Sequence, residues 1–66
     1  MKGMTKWFSP EKGFGFITPE DGGKDIFVHH TAIDMEGYRS LTENQPVTFE
    51  IEVSQRGPRA IHVIPQ

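Results

Sequence analysis

Residues 47–54 carry the clearest periodic signal in the chain: Val47, Phe49, Ile51 and Val53 alternate without a break with Thr48, Glu50, Glu52 and Ser54. A period of two is that of a β-strand with one buried face, so these four apolar residues are expected to point together into a core. Pro46 precedes them, where proline is tolerated. No segment sustains a helical period. The remaining apolar stretches are short and separated by Gly, Pro and acidic clusters at roughly 8–12 residue intervals, the spacing of a small all-β barrel or sandwich. They predict strands from about Gly3 to Phe8, Gly13 to Thr18, Asp25 to His29 and Arg59 to Ile64. Turns fall at Ser9-Pro10-Glu11-Lys12, at Pro19 to Lys24 and at Gln55-Arg56-Gly57-Pro58. Thr31-Ala32-Ile33 reads as one helical turn, and Asp34 to Gln45 is the longest, polar connection. In the last strand alternation permits two faces, either Ile61 and Val63 inward or Ala60, His62 and Ile64 inward. Five short antiparallel strands with the long connection between the third and the fourth predict an all-β, five-stranded antiparallel OB-type barrel, whose closure hides its edges.

A length of 66 residues allows one domain, residues 1–66, and no second core. There is no cysteine, so neither disulfides nor a thiolate zinc site props up the fold, which suits a reducing, cytoplasmic setting. No apolar run is long enough for a membrane span or a signal-peptide core, and the chain reads as complete from its polar Met1-Lys2-Gly3 start. The formal net charge of −2 argues against a polycation that coats nucleic acid. Its distribution changes that picture. Residues 20–52 hold eight acids and two bases, whereas the two ends hold Lys2, Lys6, Lys12, Arg56 and Arg59 against Glu11 alone. Folding those ends together predicts a basic patch.

The aromatic residues sit on the unexpected side of their strands. In Lys12-Gly13-Phe14-Gly15-Phe16-Ile17, alternation puts Lys12, Phe14 and Phe16 on one face and Gly13, Gly15 and Ile17 on the other. In Asp25-Ile26-Phe27-Val28-His29, Phe27 likewise goes with Asp25 and His29, opposite Ile26 and Val28. Burying the phenylalanines would bury Lys12, Asp25 and His29 with them, at several kcal/mol for each unpaired charge, and would expose Ile17, Ile26 and Val28. The opposite assignment avoids both costs, and places Phe14, Phe16, Phe27 and His29 at the surface beside a lysine. Gly13 and Gly15 then leave room on the inner face and permit sharp strand curvature. Trp7 and Tyr38 would extend the aromatic surface; of the adjacent Trp7 and Phe8, one turns inward, and Phe8 is the better candidate.

Solvent-facing rings interleaved with lysine suit single-stranded nucleic acid. Each base stacked on an aromatic side chain is worth about 1–3 kcal/mol while lysine or arginine follows the phosphates. A duplex gains little from such a platform, because its bases already stack on one another.

Lys6-Trp7-Phe8, then Lys12-Gly13-Phe14-Gly15-Phe16-Ile17, then Asp25-Ile26-Phe27-Val28-His29, then Arg56-Gly57-Pro58 resemble the cold-shock domain of bacterial cold-shock proteins over essentially the whole chain. The two central strings match that family's paired ribonucleoprotein motifs in order and separation. The resemblance implies a barrel that binds single-stranded RNA and DNA with little sequence choice, often preferring pyrimidine-rich strands. It also implies an RNA chaperone or a regulator of transcription and translation in cold adaptation. A monomer is expected, with a strand-swapped dimer as the alternative. By position, base-stacking roles fall on Trp7, Phe14, Phe16, Phe27, His29, His30 and Tyr38, and polar and phosphate contacts on Lys6, Lys12, Asp25 and Arg56. The chain departs from the family pattern at Ser9, where asparagine is usual; at His30, where phenylalanine is common; at Tyr38, which replaces another phenylalanine; and at Thr5, which replaces an apolar residue and should weaken the core slightly. A histidine offers a smaller π-face and a charge that changes near physiological pH.

Other chemistries find less support. His29 and His30 with Asp25 and Asp34 could be read as a metal site or a ribonuclease pair, but on an extended strand adjacent histidines point to opposite faces and no helical metal-ligand spacing is present. Gly13-Phe14-Gly15 lacks the third glycine and the helix of a dinucleotide fingerprint, and there is no Walker-type loop. An enzyme is therefore not expected, and neither cofactor nor metal is called for. The rival of another class is an OB-type module whose rings hold a protein or an oligosaccharide; binding that weakens with salt separates a phosphate chain from a neutral sugar.

Overall fold

The computed structural model describes every residue except Glu36, Tyr38 and Arg39. Its strands are β1 (Lys2–Ser9), β2 (Phe14–Pro19), β3 (Ile26–His29), β4 (Pro46–Ser54) and β5 (Gly57–Pro65), with a short 3-10 turn at His30–Ala32 after β3. They close into a barrel in the order β1-β2-β3-β5-β4. Four of the five interfaces are antiparallel, and β3 runs parallel to β5. Parity accounts for the one exception to the all-antiparallel expectation: a closed ring with an odd number of strands cannot alternate direction all the way round.

The core holds Ile17, Ile26, Val28, Ile33, Leu41, Val47, Phe49, Ala60 and Val63, with Phe8 and Ala32 packed against it. Ile33 follows the 3-10 turn, and Leu41 lies within the connection from Asp34 to Gln45, so the stretch read as polar contributes a residue to the core. Within β4 only Val47 and Phe49 are buried. Ile51 is 38% exposed and Val53 82% exposed, which corrects the four-residue buried face. The cause is reach: β1 pairs with β4 only as far as Thr48, and beyond it β4 pairs with β5 alone, so the β4–β5 hairpin runs on past the barrel wall.

Neither of the two alternating faces foreseen for β5 is adopted. Ala60 and Val63, three residues apart, are both buried. The β4–β5 register slips between Thr48↔Ile64 and Glu50↔Ile61, and His62 takes a left-handed φ of 50° there, so the bulge turns the strand over once.

Candidate nucleic-acid interface

The outward aromatic face begins with a second bulge. Thr5 pairs with Ile17, but Trp7 pairs with Phe16, leaving Lys6 as the extra residue of β1. Gly3 and Thr5 therefore point inward, Lys6 and Trp7 both lie at the surface, and Phe8 turns back toward the core opposite Gly15. Gly15 is required there: a Cβ on it would lie 2.3 Å from the Trp7 carbonyl oxygen and 2.9 Å from Phe8 Cδ1. Gly13 is needed for another reason. It lies in the turn before β2 with φ of 81°, a conformation side chains resist.

Four rings form a closed cycle across β1, β2 and β3. Centroids are 5.9 Å apart for Trp7–Phe14, 5.8 Å for Phe14–Phe27, 5.9 Å for Phe27–Phe16 and 5.4 Å for Phe16–Trp7. Trp7 is 37% exposed and the three phenylalanines are half-buried, so each ring packs against its neighbours, edge-on or tilted, while part of its surface meets solvent. The inward residues of β2 and β3, Ile17, Ile26 and Val28, are buried, so the face assignment made from alternation holds.

His29 and His30 do not diverge as an extended strand would require. The strand ends at His29 and the 3-10 turn begins at His30, bringing the two imidazoles to 4.4 Å. His30 Nδ1 lies 3.3 Å from the Gly13 carbonyl oxygen, to which it donates, and the His30 N–H donates to the same oxygen at 2.8 Å. His29 Nδ1 accepts from the Thr31 N–H at 3.3 Å and lies 2.9 Å from Thr31 Oγ1. Ser9 holds the turn despite lacking an amide: its hydroxyl accepts from the Lys12 N–H and its carbonyl from the Gly13 N–H.

Lys6 and Asp25 are bonded to each other, with Lys6 Nζ 2.7 Å from Asp25 Oδ2. Thr18 Oγ1 donates to Asp25 Oδ1 at 2.9 Å. These two hydrogen bonds, and the lysine's charge, hold the Asp25 carboxyl below its ordinary value. Thr18 is a member of this cluster that carried no sequence signal, since only the loop between β2 and β3 brings it to Asp25. Lys12 is exposed in the turn before Phe14. Arg56 is exposed at the tip of the β4–β5 hairpin, in the two-residue turn between the paired Ser54 and Gly57. Tyr38 lies outside the described residues.

The basic patch is smaller than the charge count of the chain ends suggests. Lys6 is paired with Asp25 and Arg59 with Glu52, while Lys2 lies beside Glu20 and Asp21 along a separate groove. The carboxylates a metal or ribonuclease reading would need are engaged elsewhere, Asp25 as above and Asp34 at 3.3 Å from His62 Nδ1. A groove of about 740 Å³ lined by β1, the end of β2 and the start of β4 contains none of the four rings.

The family model described as "'Cold-shock' DNA-binding domain" matches residues 1–66. The chain belongs to the cold-shock domain family. Among its relatives, the Cold shock-like protein CspI of Escherichia coli (strain K12) is 59% identical over 64 residues, covering 97% of this chain and 91% of that protein. The Cold shock-like protein CspG of the same strain matches to the same extent. The Cold shock-like protein CspJ of Salmonella typhimurium (strain SL1344) is 56% identical over 62 residues, 94% of this chain and 89% of that protein. Family membership makes this cold-shock domain a nucleic-acid-binding protein, in keeping with an outward aromatic face on a closed five-stranded barrel. Among the described residues no helix is long and apolar enough to cross a membrane.

Proposed function

We propose that this cold-shock domain binds single-stranded RNA and DNA, with low sequence specificity and a leaning toward pyrimidine-rich strands, as a cytoplasmic, monomeric, single-domain RNA chaperone. The observation that carries the reading is the four-ring cycle of Trp7, Phe14, Phe16 and Phe27 at the surface, next to Lys6 and Lys12. Half-exposed rings are tolerated by a small domain when something stacks on them, and every base has a π-face to offer. Bases stack on Trp7, Phe14, Phe16, Phe27 and the His29–His30 pair, with Tyr38 as a further platform. Lys6, Lys12 and Arg56 follow the phosphates, and Asp25 positions Lys6.

No catalysis is required. A protein that binds only the open strand shifts a hairpin toward its melted form, by about 2.7 kcal/mol for one site at a hundredfold excess over Kd. That suffices for a marginal RNA hairpin in the cold and not for a long duplex, and such melting is how this domain acts as an RNA chaperone.

Titration of Trp7 fluorescence with a short oligothymidine, against a matched duplex and at two salt concentrations, tests the reading. Quenching by the single strand alone, with log K falling on log salt at a slope of about −2 for three phosphate contacts, is expected. No response from a folded protein, or binding indifferent to salt, overturns it in favour of a protein or oligosaccharide ligand.

A further inference from the structure

The cross-strand register aligns five side chains in one row around the barrel. Trp7 pairs with Phe16 across β1 and β2, Phe16 with Phe27 across β2 and β3, Phe27 with Arg59 across β3 and β5, and Arg59 with Glu52 across β5 and β4. The neighbouring partners Val28 and Ala60 are both buried, so Phe27 and Arg59 leave the sheet together on its outer side. The aromatic row thus runs directly into a guanidinium.

That guanidinium is occupied. Arg59 Nε lies 3.0 Å from Glu52 Oε1, and Nη2 contacts the same oxygen. The pair is 52% and 46% exposed, open to solvent on the same side as the rings. An ion pair this exposed is weak and exchanges readily for a stronger partner. A phosphate is such a partner, since its oxygens accept the guanidinium's parallel N–H groups. A groove of about 310 Å³ opens beside Arg59, carrying His29 and His62 together with the Asp34 carboxylate.

Building on the single-strand reading of the aromatic face, we propose that Arg59 takes a backbone phosphate of the strand leaving Phe27, and that Glu52 competes for it, holding Arg59 until the phosphate displaces it. The site then extends over a fourth strand, and Glu52 restrains affinity by making each binding event break an ion pair.

The test uses the full chain, a short oligothymidine and Trp7 quenching across roughly 50–200 mM salt. With Arg59 as a fourth contact the slope of the unmodified protein steepens to about −2.8, and Arg59→Gln is expected to weaken binding and to return the log K against log salt slope to about −2, the loss of one phosphate contact on a single strand. Arg59→Lys keeps the slope. Glu52→Gln tightens binding severalfold in the parent and not when Arg59→Gln is also present. Thermal melting of each variant establishes that it is folded. An unchanged slope in Arg59→Gln overturns the proposal. So does equal tightening by Glu52→Gln with and without Arg59, which is the signature of a general field and not of competition. Failure of the unmodified protein to quench with oligothymidine is a different result, removing the reading of the aromatic face itself and this extension with it.

Discussion

Lys6 Nζ lies 2.7 Å from Asp25 Oδ2, a bond that ties the bulge of β1 to the residue entering β3 across the intervening Thr18 of β2. Because the folded state holds the Asp25 carboxyl below its ordinary value of 3.8, the unfolded chain takes up this proton first as pH falls. The contribution to stability is therefore complete above 3.8 and is lost on acidification through the depressed folded value. Asp25→Asn is expected to be less stable than the parent at neutral pH, with the difference shrinking below 3.8, as followed by urea unfolding at a series of pH values. A difference that stays constant down the series contradicts the assignment.

Thr5 is fully buried opposite Ile17, and its hydroxyl has no hydrogen-bond partner. An unsatisfied buried hydroxyl costs about 1–3 kcal/mol, while its methyl and Cβ still fill the core. Thr5→Val, nearly the same shape without the hydroxyl, is expected to stabilise the domain by about 1 kcal/mol, raising Tm by about 4–8 °C for a domain of this size. The backbone bonds of Thr5 to Asn44 and Gln45 are untouched by the change.

Phe16 and Phe27 differ from Phe49 in what they pack against. Phe49 is 2% exposed and fills the core, so Phe49→Ala should cost about 3–5 kcal/mol of stability. Phe16 and Phe27 contact chiefly other surface rings, and Phe16→Ala or Phe27→Ala should cost about 1 kcal/mol of stability. Each should weaken oligonucleotide binding by about 1–3 kcal/mol. Paired melting and titration curves check this; unfolding of Phe16→Ala would place its ring in the core.

His29 and His30 stand side by side next to the four rings, with centroids 4.4 Å apart, and His30 Nδ1 is held to the Gly13 carbonyl. His30→Phe keeps a ring for a base to stack on and should keep oligothymidine binding, whereas His30→Ala should weaken it by about 1–3 kcal/mol. Equal affinities of the parent and His30→Ala in a fluorescence titration would take His30 off the platform.

Much of the interface was legible in the chain because the relevant information is local. Which side of a strand a residue takes depends on its neighbours two positions away, and burying Lys12, Asp25 and His29 costs too much to allow the reverse assignment. The face of Phe14, Phe16 and Phe27, the inward Ile17, Ile26 and Val28 and the turns at glycine and proline all follow from that. The same reasoning fails where alternation is interrupted. Nothing local announces the bulge at Lys6, the reversal at His62 that buries Ala60 and Val63 together, or the strand end that brings His30 beside His29.

What the sequence by itself determined, then, was the number and class of strands, the two faces of β2 and β3, and the phenylalanines that share the outer one. Tertiary structure alone decided the partners. Closure of an odd-numbered ring makes β3 parallel to β5 and so sets Arg59 beside Phe27, 32 positions away in the chain. Loop closure brings Lys6 and Thr18 to Asp25, and the limited reach of β1 leaves Ile51 and Val53 outside the core that alternation promised them. Periodicity records which way a side chain points; which other side chain it meets depends on register between distant strands, which no local pattern encodes.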